Sequence, residues 1–137
     1  MPKRRRGARS AFARRRLADT RFEQLVERAL DGIPEPFRAA LDEVAIVIED
    51  DATEDQLEIA GLGRDDALYG LYEGTPRTAW GADLVPFPNK ISLFRIPLEE
   101  DFPDPDELAE EVRVTVIHEL AHHLGIDDDR LEELGFE

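Results

Sequence analysis

All three histidines of the chain lie within the run His118-Glu119-Leu120-Ala121-His122-His123, where H-E-x-x-H sets two imidazoles four residues apart. On a helix that spacing puts one side chain a turn above the other, so His118 and His122 can converge on one ion. Zinc suits the pair: it takes neutral imidazole nitrogens at tetrahedral corners and, in catalytic sites, keeps one corner for water. Glu119 lies about 100° round the helix from His118 and within reach of that water, where a carboxylate serves as general base rather than ligand. Gly125 and Asp128 extend the pattern to H-E-x-x-H-x-x-G-x-x-D. Glycine adopts the positive φ on which a helix ends most easily, so the chain can turn back beneath the metal and bring Asp128 as third ligand. The register after Gly125 selects Asp128, while its neighbours Asp127 and Asp129 also suit a helix cap. His123 points about 100° away from His122 and is expected in a structural or supporting role rather than as a ligand.

These side chains need a helix with one buried face, and the sequence supplies its limits. Asp104 can cap, Pro105 suits the first helical position and Glu107 follows three after the cap, so a helix is predicted over Pro105 to Leu124. Plotted at 100° per residue, Val112, Val116, Ile117, Leu120 and Leu124 form an apolar arc opposite His118 and His122. Both imidazoles then face away from the core. A short last helix is predicted from Asp127 through Leu134, with Leu131 and Leu134 turned inward.

Upstream, Thr20 and Glu23 form a capping-box pair ahead of Phe22, Leu25, Val26, Ala29 and Leu30 at helical spacing, and Gly32 with Pro34 ends that run. Phe37, Ala40 and Leu41 suggest one further turn of helix. Val44 to Ile48 is a compact β-branched run, expected as a buried strand. Residues 50–62 are acidic and punctuated by glycine, fitting a loop or a short exposed helical turn. Leu68 to Glu73 and Ile91 to Arg95 alternate as strands do. Between them the proline-containing stretch Gly74 to Asn89, with Trp80, is long enough to overhang a cleft. Tyr69, Tyr72 and Arg95 are the side chains near these strands that could stabilise an oxyanion, although tyrosines in strands more often serve packing, and none is assigned that role.

Charge divides the chain. Eight Lys or Arg and no acid precede Leu17, leaving nine basic against thirty-two acidic residues in the remainder. The arm, residues 1–18, is expected to be disordered, since like-charge blocks with little apolar content stay solvated. Its arginines also suit nonspecific contact with nucleic acid or an anionic surface, or a salt-screened return onto the acidic body. Residues 19–137 then form one domain, a length that buries roughly two thirds of its unfolded surface. There is no cysteine, so disulfides and thiolate metal sites are excluded. No apolar run approaches the roughly 20 residues that cross a bilayer. Polar residues follow the N-terminal arginines where an export signal needs apolar ones, so a cytoplasmic location is expected.

The stretch His118 to Asp128 resembles the extended zinc motif of the metzincin branch of zincin metallopeptidases, with Asp in place of the third His. The longer segment HELAHHLGIDDDRLEELGF is more similar to a family of very short bacterial zincin-like metallopeptidase domains, and the similarity extends upstream through LYGLYEGTP and ISLFRIP. The resemblance implies an α+β zincin-like minimal metalloprotease fold, in which a small mixed sheet packs against the active-site helix. It implies His118, His122 and Asp128 as zinc ligands and Glu119 as the base of peptide-bond hydrolysis. By order, Leu68 to Glu73 resembles the edge strand on which a zincin pairs its peptide substrate. Met1 is the only methionine, so the methionine turn of metzincins has no counterpart. With nine residues after Asp128, no C-terminal lobe is expected to form a lower cleft wall. Two other classes fit the sequence: a catalytically weak or inactive zinc-binding regulatory module, and a nucleic-acid-associated adaptor acting through the basic arm.

Overall fold

The computed structural model describes residues 20–74 and 89–136. The basic arm expected to be disordered, and Trp80 with most of the stretch expected to overhang a cleft, lie outside the described residues. Helix α1 covers residues 20–31, followed by α2 (Phe37–Ala40), a 3-10 turn (Leu41–Glu43), β1 (Ala45–Glu49), α3 (Glu54–Ile59), β2 (Gly70–Glu73), β3 (Lys90–Phe94), α4 (Arg95–Asp101), α5 (Pro105–Leu124) and α6 (Asp128–Glu133). This is the expected α+β architecture. The strands form a mixed sheet in the order β1-β3-β2, with β1 parallel and β2 antiparallel to β3.

Helix α5 packs across β2 and β3 and begins and ends where its signals stand. The Asp104 carboxylate accepts from the Asp106 and Glu107 amides, Pro105 fills the first turn, and Gly125 adopts φ 76°. Behind Gly125, the Ile126 amide donates to the Ala121 carbonyl at 2.8 Å and the Gly125 amide to the His122 carbonyl at 3.1 Å. This pair of bonds satisfies carbonyls that the helix end would otherwise leave open. Val112, Val116, Ile117 and Leu120 are buried as the apolar arc requires. They join Ile91 and Leu93 of β3, Leu98 of α4, Phe22, Val26 and Ala29 of α1, Phe37 of α2 and Leu131 of α6 in one cluster.

Other elements depart from expectation in whole or in part. Thr20 is the first described residue of α1 and is already helical. The expected buried strand is β1 at an edge of the sheet, where its residues are exposed or half-buried. The central strand is β3 instead, and its alternation is lost because Ile91, Ser92, Leu93 and Phe94 are all buried. Residues 54–59 are helical: Thr53 and Gln56 make a reciprocal capping box, and Leu57 is buried. Strand β2 starts at Gly70, two residues later than expected. Arg95 leaves the strand to open α4, a helix the sequence reading lacked. Pro97 fits this helix, because a proline in the first turn removes only an amide that has no intrahelical partner. Leu131 is buried, whereas Leu134 is 40% exposed.

Candidate active site

One open concavity of about 440 Å³ is lined by His118, Glu119, His122, Asp128, Leu131, Glu132 and Phe136. Helix α5 supplies the first three, and the Gly125 turn delivers α6 with Asp128. Of the consecutive aspartates, Asp127 is the cap, its carboxylate accepting from the Arg130 amide at 2.8 Å. Asp128 is thereby left to line the concavity. Gly135 ends α6 at φ 91°, and the Phe136 amide donates to the Leu131 carbonyl at 3.0 Å. That return sets Phe136 edge-on against Phe37 at 5.1 Å between ring centres and makes it a wall of the site.

The electrostatics favour a cation. His122 Nδ1 lies 3.4 Å from Glu119 Oε1. The hydrogen bond to Glu119 raises the His122 pKa above the ordinary imidazole value against the opposing effect of burial, and the charges of Glu119 and Asp128 raise it further. Two imidazoles and a carboxylate are a donor set that zinc accepts while leaving a corner for water. Among the described residues no group of three or more His, Asp or Glu side chains stands close enough together to hold an ion, so the donors must turn toward one another to ligate. His122 and Asp128 are exposed and have room to do so.

The other side of Glu119 is already fixed by the fold. The Tyr72 backbone amide of β2 donates to Glu119 Oε1 at 2.8 Å. The Phe94 amide donates to the Tyr69 carbonyl, and antiparallel pairing alternates, so Leu71 and Glu73 turn their backbone groups to β3 while Gly70 and Tyr72 turn theirs outward. Among the described residues, the candidate base therefore meets the outward edge of β2. Close approach of α5 permits this: a Cβ at Gly70 would lie 2.6 Å from Thr115 Cγ2, nearer than side chains tolerate.

His123, next along the helix, is fully buried. Its Nε2–H donates to Glu43 Oε1 at 2.7 Å, and its Nδ1 lies 3.0 Å from the Tyr72 hydroxyl, which also reaches Asn89 Oδ1 at 3.1 Å. The sequence held a signal for this burial: at 100° per residue His123 falls between Val112 and Val116 in the apolar arc. Its partners, far away in the chain, carry no such mark.

The three oxyanion candidates are committed elsewhere. Tyr69 donates to Asp101, and that bond, with burial, pushes its pKa up to about 12. Arg95 pairs with Glu99 and Asp50 at 2.7 and 3.0 Å. The Tyr72 hydroxyl belongs to the His123 network, and burial followed by the Glu43 charge raises its pKa. A larger groove of about 570 Å³ lies between α1, α4 and the start of α5, lined in part by Arg21, Leu25, Arg28, Glu99 and Phe102. It contains no histidine and lies away from the motif, so the smaller concavity is the candidate site.

A family model described as zincin-like metallopeptidase matches residues 41–136, which takes in the sheet, α5, α6 and every residue of the concavity. The chain belongs to the zincin-like metallopeptidase family. No curated protein matches the chain. Helix α1 lies before the matched span, yet Phe22, Val26 and Ala29 share the apolar cluster with α5. No helix among the described residues is long and apolar enough to cross a membrane.

Proposed function

We propose that the protein is a zinc-dependent peptidase with His118, His122 and Asp128 as ligands and Glu119 as general base. The observation that carries this reading is that all four residues line one concavity in a chain that belongs to a metallopeptidase family. Zinc held by these ligands would supply a Lewis acid that acidifies water and polarises a carbonyl. Glu119 takes the proton of the attacking water and returns it to the leaving amine, completing hydrolysis with no net change at the carboxylate. An extended peptide pairs along the outward edge of β2 through backbone groups other than the Tyr72 amide, which Glu119 holds, and such backbone bonding gives affinity with little sequence preference. The single domain 19–137 and a cytoplasmic location belong to the same proposal, as does nonspecific nucleic-acid or anionic-surface contact through residues 3–16.

Zinc content of the untagged full chain, followed by peptide cleavage, tests it. One zinc per chain is expected, lost in His122→Ala and in Asp128→Ala. Glu119→Ala should keep its zinc and lose about 10²–10⁴ in rate. Zinc binding with activity indifferent to Glu119→Ala would move the protein to the regulatory-module class. No zinc at all would sink the reading.

A further inference from the structure

The mechanism above uses Glu119 but leaves unexplained why the residue after a ligand is a fully buried histidine with both ring nitrogens engaged. We infer that His123 is a positioning residue: through Tyr72 it holds the edge strand β2 at the distance from α5 at which the Tyr72 amide orients the Glu119 carboxylate. The inference rests on the peptidase reading for the purpose of that orientation, though not for the coupling itself.

The geometry forms a continuous path. Glu43 ends the 3-10 turn before β1 and accepts from His123 Nε2–H at 2.7 Å. The opposite ring nitrogen meets the Tyr72 hydroxyl at 3.0 Å. The amide of the same tyrosine donates to Glu119 at 2.8 Å. One residue of β2 is therefore gripped twice by α5, once through its side chain and once through its backbone. The tyrosine and imidazole rings are also in contact, with centres 5.5 Å apart. Among the described residues β2 has a strand partner on one side alone, and α5 holds it through the His123–Tyr72 contact and the Gly70–Thr115 approach. A carboxylate that accepts from a backbone amide keeps one oxygen fixed and directs the other, so Glu119 enters the reaction with less freedom to lose.

Amide exchange of Tyr72, followed by NMR on the metal-free full chain, tests the coupling without recourse to activity. Tyr72→Phe deletes only the hydroxyl. It should speed exchange of the Tyr72 amide about five- to tenfold while leaving Leu93, in the central strand, unchanged. His123→Phe, which fills the volume without hydrogen bonds, should act likewise, and His123→Asn, with a polar group near the position of Nδ1, should recover part of the protection. Where peptides are cleaved, kcat should fall by a similar factor in Tyr72→Phe, with zinc content held. Tyr72 exchange that ignores Tyr72→Phe and His123→Phe would overturn the inference. So would equal acceleration at Leu93, because the network would then support only global stability. An inactive parent protein would count against the peptidase reading and leave the exchange result standing.

Discussion

The two sides of α5 that meet at Glu119 are built to different standards. Toward α6, the His122 side chain is 54% exposed, and the proposed ligands share a concavity without being drawn to a common point. Toward β2, the His123 side chain is fully buried, and Glu119, only 14% exposed, already has its hydrogen bond to the strand. Under the proposed function the difference fits what each side would do: side chains that receive an ion take their order from ligation itself, whereas a base oriented ahead of substrate takes its support from the folded core.

The sharpest way to break this contrast is to truncate both adjacent histidines in metal-free protein. His123→Ala leaves a cavity and deprives Glu43 and Tyr72 of a buried partner, so we expect a loss of about 3 kcal/mol, read from the urea midpoint. A second test strikes the approach of strand to helix. Gly70→Ala should cost about 1–3 kcal/mol, and Thr115→Ser, which removes the obstructing methyl, should restore part of it in a double-mutant cycle. Additive effects would show that the Thr115 contact does not set the spacing. His122→Ala on the exposed side should stay within about 0.5 kcal/mol in the same metal-free assay; a loss equal to that of His123→Ala would erase the distinction between the two sides.

The smallest effect concerns the two tyrosines. Phenolate absorbance should rise only above the usual phenol range, with Tyr69 ionising at about 12 and that component absent in Tyr69→Phe. Because the folded-state pKa is raised, the stabilisation from Tyr69 is complete below the unfolded phenol value near 10 and is lost as pH climbs through the folded one. A Tyr69 that ionises near 10 would remove the Asp101 contact from the account.

Much of the candidate site was open to a reader of the sequence because it lies on one continuous helix and the turn after it. Asp104, Pro105 and Gly125 mark the limits of α5 through local backbone chemistry, and 3.6 residues per turn then orders His118, Glu119 and His122 without reference to any other segment. The acidic cap at Asp127 and the apolar Leu131 could be placed on the same local grounds. The sheet was less accessible. Val44 to Ile48 looks like the most deeply buried strand, but burial depends on neighbours, and β3 rather than β1 took the centre. The alternation read through Arg95 hid the start of α4, a helix whose first turn accepts Pro97.

The sequence by itself thus determined the helix that carries the candidate site, its ends and the side chains it presents, because helical periodicity and caps are properties of adjacent residues. Tertiary structure alone decided what stands behind Glu119. The contacts of Tyr72 with Glu119 and His123, and of His123 with Glu43, join residues far apart in the chain, and nothing local specifies such pairs. They exist because, among the described strands, the sheet order sets β2 beside β3 with its other side toward Glu119, and because Gly70 lets that side come close enough to α5 for a backbone amide to reach a carboxylate.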